Sequence, residues 1–174
     1  SLFEIIRQKN INIKLIDIKV LLFQETVSVN SLFLNIFFEK LKQGTPTLDI
    51  TDCPDLAPIL MTVASLLNGA VLKGTSRLKI KESDRGEVMK NELSKFSADI
   101  TVLEDEIIIK KADLKTPTET LCGNNDHRIA MSAALASLKC RDSVTVTGAD
   151  AVNKSYRNFW EDFKMLGGVV DEIR

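Results

Sequence analysis

The spacing of apolar residues changes period several times along this chain, and each change predicts an element. Residues 47–51 alternate and predict a short strand. From Asp55 to Leu67 the chain is almost wholly apolar, without a polar stripe, and the run ends at Asn68-Gly69. Such a run predicts a helix buried on all sides and stopped by glycine. Residues 71–80 predict a second strand. Between Ser83 and Phe96, the apolar positions Met89, Leu93 and Phe96 recur at i, i+4 and i+7 among charges, the mark of an amphipathic surface helix. Residues 99–103 and 106–110 alternate again, and Glu104-Asp105 between them suits a hairpin turn.

The order β-α-β-α-β-β then starts to repeat. A second apolar helix is predicted over 127–138, a strand over 143–147, and an amphipathic helix over 155–166 stopped by Gly167-Gly168. A short strand over 169–173 follows. Sliding the sequence along itself by about 72 residues superposes these elements. In that register Val63-Ala64-Ser65-Leu66 falls on Leu135-Ala136-Ser137-Leu138, and Glu82-Ser83-Asp84-Arg85 on Lys154-Ser155-Tyr156-Arg157. Asp55 falls beside Asp126 and on His127. The domain reading is residues 47–112 as a complete unit, 113–174 as a further unit, and 1–46 as the tail of another unit with its connection. In that tail, residues 3–8 are expected to finish a helix, 11–18 and 20–29 to form a strand pair, and 31–42 a helix ending at Gly44.

Composition narrows the chemistry. The chain has 174 residues, 44% of them hydrophobic and 27% charged, so a core is affordable to it and disorder is excluded as the main state. The greasiest stretch, Ser31 to Phe38, is short and interrupted by Asn35, so no membrane partner is expected. Its 23 basic and 24 acidic residues leave a net charge of −1 with the one His neutral. Duplex nucleic-acid binders carry a basic excess, so nucleic acid is not an expected partner. Cys53, Cys122 and Cys140 are far apart and form no CxxC pair; with one His, no zinc site is expected. The thiols are read as reduced and structural, in a cytoplasmic protein. After Ser1, the segment Leu2-Phe3-Glu4-Ile5-Ile6 resembles the inside of a helix rather than a beginning, with no secretory leader, and the chain is read as a piece of a longer one.

Four polar clusters stand at predicted helix starts: Cys53-Pro54-Asp55, Lys79-Ile80-Lys81-Glu82-Ser83-Asp84-Arg85, Asn124-Asn125-Asp126-His127-Arg128 and Asn153-Lys154-Ser155. Each has a plain reading as a solvated cap. Each also has a functional one, because a helix N-terminus flanked by Lys or Arg is an anion site, and Asp55 at the mouth of a buried helix is where a general base would sit. If the repeat brings these ends together, they form a cationic pocket holding two carboxylates, suited to a small phosphorylated acid.

The segment Arg77-Leu78-Lys79-Ile80-Lys81-Glu82-Ser83-Asp84-Arg85 resembles the R-x-x-V-K-E-S/T-D-R signature of the 5-enolpyruvylshikimate-3-phosphate synthase family. Asn125-Asp126-His127-Arg128-Ile129-Ala130-Met131 and Lys154-Ser155-Tyr156-Arg157-Asn158-Phe159 resemble two further family motifs, in the same order, from about Leu48 onward. Two positions depart: Arg157 stands where Pro is usual, and Arg77 where some members carry an Asn that touches the shikimate ring.

The resemblance implies an α+β fold of repeated β-α-β-α-β-β units, with buried parallel helices and mixed four-stranded sheets, making about one of the family's two domains. It implies a transferase of the shikimate pathway of aromatic amino-acid biosynthesis, a 3-phosphoshikimate 1-carboxyvinyltransferase, acting on phosphoenolpyruvate and shikimate 3-phosphate without metal or organic cofactor. By motif position Asp55 is the base near the attacking hydroxyl and Glu82 the proton carrier at the phosphoenolpyruvate methylene. Lys81 holds the shikimate hydroxyl region, Arg85, Arg128 and Lys154 clamp phosphoenolpyruvate, and His127 orients its neighbours. Asp126 caps its helix and holds Arg128, and the role of Arg77 is open. The other domain is the implied partner, so this piece is expected to be an inactive monomer by itself. The alternatives are a UDP-N-acetylglucosamine enolpyruvyl transferase and a non-catalytic anion-binding domain of the same fold.

Overall fold

The computed structural model of the chain describes residues 3–7 and 29–173. In chain order the elements are β1 (Phe3–Arg7), α1 (Val29–Gln43), β2 (Thr47–Asp49), α2 (Ala57–Leu66), β3 (Ala70–Lys73), α3 (Arg85–Lys95), β4 (Ile100–Val102) and β5 (Glu106–Ile109). They continue with β6 (Leu121–Cys122), α4 (His127–Ser137), β7 (Val144–Thr147), α5 (Phe159–Met165) and β8 (Val169–Ile173). Short 3-10 turns at Pro54–Leu56, Ser76–Ile80 and Ala149–Lys154 lead into or link the helices.

Two four-stranded mixed sheets result, in the orders β2-β3-β5-β4 and β6-β7-β1-β8. In each, a parallel pair (β2 with β3, β6 with β7) is followed by two antiparallel neighbours. The helices α2 and α4 are the crossovers between the parallel strands, which is why both are buried. In α2 every residue from Ala57 to Ser65 is buried, and its two hydroxyls are satisfied locally: Thr62 donates to the Pro58 carbonyl at 3.1 Å and Ser65 to that of Met61 at 2.9 Å. The N-terminal ends of the two helices meet, with Arg128 Nη2 3.8 Å from Asp55 Oδ2. Their C-terminal ends both abut the 112–115 segment, where the Ala112 amide donates to the Ser65 carbonyl at 2.8 Å and the Cys140 thiol to the Lys115 carbonyl at 3.7 Å. The helices therefore run side by side in the same sense.

The repeat is real in three dimensions, but its register is not constant. Equivalent strands begin at Ala70 and Val144, 74 residues apart, whereas the buried helices begin at Ala57 and His127, 70 apart. A single offset near 72 averages the two. The second sheet also differs in its source of strands. The slot filled in the first sheet by β5 is filled in the second by β1, from the chain's beginning, which pairs Ile5 with Thr145 on one side and Asp171 on the other.

Three expectations change accordingly. Residues 3–8 do not finish a helix: Phe3–Arg7 is a strand, because β-branched Ile5-Ile6 gains two antiparallel partners. The strand expected over 71–80 stops at Lys73 and gives way to the 3-10 turn. The helix expected over 155–166 begins only at Phe159, after the 3-10 turn that ends at Lys154. The strand pair expected over 11–18 and 20–29 lies outside the described residues, except that Val29 opens α1.

Gly74 ends β3 at φ +73°, and a Cβ built there would lie 2.0 Å from Thr51 Oγ1 and 2.9 Å from the Thr51 nitrogen. Gly74→Ala is therefore expected to lower stability by at least about 1–2 kcal/mol, the cost of a left-handed backbone alone. Urea unfolding checks this; an unchanged midpoint would contradict the packing described. The three cysteines are free. Burial pushes the Cys140 thiol up to about 11 despite a hydrogen bond with Thr116, which suits a structural thiol rather than a nucleophile. No helix among the described residues is long and apolar enough to cross a membrane.

Candidate active site

The pooled helix starts form one charged cluster. Asp55 lies in the 3-10 turn ahead of α2, half exposed, and its carboxylate is ringed by cations: Arg85 Nη1 at 2.6 Å, Lys81 Nζ at 3.0 Å and Arg128 Nη2 at 3.8 Å. Partial burial pulls its pKa up, but the Lys81 hydrogen bond and the charges of Arg128, Lys81 and Arg85 outweigh this and hold the carboxyl below the usual carboxylate range.

Beneath it lies a buried pair. Asp126 is fully buried and the Arg85 side chain only 3% exposed. Arg85 Nε donates to Asp126 Oδ2 at 2.8 Å and Nη2 to Oδ1 at 3.3 Å. The Ser83 hydroxyl donates to Oδ2 at 3.0 Å, and the Arg128 amide to Oδ1 at 3.0 Å. Burial raises the Asp126 pKa, but Arg85, the Arg128 amide and Ser83 together bring it below its ordinary value. Three of Arg85's five N–H groups thus serve Asp55 and Asp126.

The other expected site residues fall around this pair. Lys81 closes the 3-10 turn ahead of α3, whose N-cap is Asp84, bonded to the Glu87 amide. Glu82 Oε2 lies 3.4 Å from His127 Nδ1, and the His127 side chain is 8% exposed. Asp126 does cap α4, but it reaches only the backbone of Arg128; its side-chain partners are Arg85 and Ser83. Lys154 Nζ donates to the Asn125 carbonyl at 2.5 Å, and so adjoins the same turn although it does not open a helix. Arg77 is exposed and reaches the Thr51 carbonyl at 3.5 Å, at the rim. Glu82, Asp126 and His127 bring ligand-type atoms within 4.8 Å of one another. The Asp126 oxygens are already engaged by Arg85, Ser83 and the Arg128 amide.

Two features escaped the sequence reading. One is Asp126 as the hub between units; the other is the pair Glu92–Lys95 on α3, buried against the start of the second unit. The signal available for the second was a Glu and a Lys seven and ten residues after Arg85, on one helical face.

Two repeated β-α-β units with their buried helices pooled at a cationic, carboxylate-bearing site define a protein of the enolpyruvyl transferase fold. The chain belongs to the EPSP synthase (3-phosphoshikimate 1-carboxyvinyltransferase) family, whose model matches residues 7–163. It is 45% identical over 135 residues to the 3-phosphoshikimate 1-carboxyvinyltransferase of Clostridium novyi, covering 77% of this chain and 31% of that protein. It is 41% identical over 126 residues to the protein of that name in Clostridioides difficile, covering 72% and 29%. EPSP synthase from Acinetobacter baumannii superposes with a TM-score of 0.62 at 30% identity, over 70% of this chain and 29% of that one. The enolpyruvyl transferase NikO from Streptomyces tendae shares the fold, with a TM-score of 0.56 at 15% identity, over 75% and 29%. The chain thus spans about three tenths of the length of the relatives it matches.

Proposed function

We propose that this chain is most of the C-terminal domain of a synthase that transfers the enolpyruvyl group of phosphoenolpyruvate to the 5-hydroxyl of shikimate 3-phosphate. Residues 47–112 make one unit and 113–174 the next, whose sheet is completed by β1 from the chain's beginning, with the rest of 1–46 the tail of another unit and its connection. The reading is supported above all by one observation: Asp55, Lys81, Arg85 and Arg128, from separate segments, share one ion-pair network.

In the reaction the 5-oxygen bonds to C2 of phosphoenolpyruvate, its proton leaves to Asp55, and a proton from Glu82 is added at C3. Return of a C3 proton to Glu82 and cleavage of the C–O bond to phosphate then give the enol ether and inorganic phosphate. Arg85, Arg128 and Lys154 neutralise the phosphate and carboxylate of phosphoenolpyruvate, a trianion that needs several cations. Lys81 meets the shikimate hydroxyls, His127 orients Glu82, and Arg77 borders the shikimate side. The C–O bond to C2 forms and the C–O bond to phosphate breaks with proton transfer alone and no change of oxidation state overall, so the reading includes no metal or organic cofactor.

The other wall of the cleft belongs to the N-terminal domain, so the piece alone is a catalytically silent monomer, cytoplasmic like its pathway. The K-E-S-D-R and D-H-R segments together favour this synthase over a UDP-N-acetylglucosamine enolpyruvyl transferase. A non-catalytic anion-binding domain has no need of both Asp55 and Glu82.

An open, water-facing half site screens each charge contact. Phosphate is therefore expected to bind this chain no tighter than roughly millimolar, about −4 kcal/mol, and more weakly as salt rises. In an NMR titration the shifts should cluster around Arg85, Arg128 and Lys154. Shifts elsewhere, or enolpyruvyl transfer by the piece alone, would refute this reading.

A further inference from the structure

We propose that Glu92, with Lys95, is a positioning pair that sets the catalytic turn 123–128 against the first unit, making α3 a ruler between the two halves of the site. Arg85, Glu92 and Lys95 are spaced i, i+7 and i+10 along α3, so they share a helical face spread over little more than two turns. All three grip the second unit. Arg85 holds Asp126 at the start of α4. About 10 Å further along the axis, Glu92 Oε2 accepts the Cys122 amide at 2.9 Å, and Lys95 Nζ donates to the Thr120 carbonyl at 3.1 Å. Glu92 and Lys95 also bond each other at 2.8 Å, with their side chains 8% and 21% exposed. A buried carboxylate so paired is well determined in position.

The turn between these grips needs holding from outside. It follows β6, a two-residue strand at the edge of its sheet, whose ladder alone fixes it poorly. Gly123 is pressed on the end of β7, where a Cβ would lie 2.9 Å from the Gly148 carbonyl oxygen and 3.1 Å from that of Thr147. Asn124 and Asn125 then take left-handed backbone, φ +50° and +54°. Consecutive residues of this kind persist where surroundings over-determine them. Glu92 and Lys95 tie the turn at its start, and Lys154 ties it in the middle through the Asn125 carbonyl. Asp126 and Arg128 leave the turn directly into the site. Glu92 touches no site atom itself; it acts through where the turn puts Asp126 and Arg128.

The proposal rests on the anion-site reading, and the test separates the two. Glu92→Gln, Glu92→Ala and Lys95→Met are made in the 174-residue chain and followed by ¹⁵N NMR well below the unfolding temperature, without and with inorganic phosphate. In the ligand-free state, Glu92→Ala should shift the Arg85 Nε–Hε signal and the amides of residues 122–128. It should also weaken phosphate about tenfold, the scale of losing a hydrogen bond to a charged group. Glu92→Gln, which still offers an oxygen to the Cys122 amide, should restore the signals and most of the affinity. If Glu92→Ala does not fold, Lys95→Met carries the test, with the same signals moving to a smaller extent. A merely structural pair predicts lower thermal stability with the Arg85 signal and phosphate affinity unchanged, and that result overturns the proposal. If the wild-type chain binds no phosphate, the anion-site reading fails, while the ligand-free Arg85 signal still decides the role of Glu92.

Discussion

Alanine in place of Asp55 or Glu82, in the full-length synthase, is expected to lower kcat by roughly 10²–10⁴-fold, the usual worth of a general acid or base, with little change in KM for phosphoenolpyruvate. Arg128→Ala should instead raise that KM, because a clamp on a trianion acts in the ground state as well as the transition state. The geometry gives Asp55 a further property. Its carboxyl is held below the usual range by three cations, of which Arg85 and Arg128 are also the proposed phosphoenolpyruvate ligands. Without substrate it is a weak base. When the trianion draws Arg85 and Arg128 toward itself, part of the cause of the depression weakens and the carboxylate becomes more basic where the hydroxyl proton must be taken. Phosphate should therefore raise the Asp55 pKa, read from its carboxyl ¹³C shift. Steady-state phosphate release gives kcat and KM; near-normal turnover in either carboxylate variant would remove that residue from the mechanism.

Arg85→Met should be the most damaging substitution for stability, at about 3–5 kcal/mol or roughly 10 °C in Tm for a chain of this size. It leaves Asp126, fully buried, without its charge partner. The pH dependence follows from the sign of the shift. In the wild type the folded pKa of Asp126 lies below its ordinary 3.8. The pair's contribution is thus fully present above the unfolded value and is lost as pH falls through the folded one. In Arg85→Met, burial no longer has Arg85 to oppose it and pushes the carboxyl upward. The variant's deficit should accordingly shrink on acidification, where the buried group is neutral. Adding Asp126→Asn keeps an acceptor for the Arg128 amide and should recover a large part of the loss at neutral pH. Urea titrations at two pH values check both statements; a pH-independent deficit would show that Asp126 is not the group left uncompensated.

The local elements were legible where one period ran uninterrupted. The buried helices announced themselves because α2 and α4 are crossovers covered on every side, which leaves no polar stripe in Ala57–Leu66 or along most of His127–Ser137. Likewise α3 and the hairpin β4–β5 followed from one-sided burial. Boundaries failed where a special backbone interrupts the period, as at Gly74 after β3 and at the 3-10 turn ending at Lys154.

The sequence by itself determined which residue types bear charge at the starts of buried elements: Asp55, Glu82, Lys81, Arg85, Arg128 and Lys154 were all identifiable as such. Their pairing was decided by the tertiary structure alone. That Arg85 belongs to Asp126, 41 residues away, and Asp55 to three cations at once depends on α2 and α4 lying side by side in the same sense. No local period records that alignment. The same holds for β1, whose residues by themselves suggest the end of a helix and become a strand only because two neighbours far along the chain supply its hydrogen bonds. Local pattern reports which face of an element meets the core; partners and register depend on contacts remote in sequence, and those exist only once the units have packed.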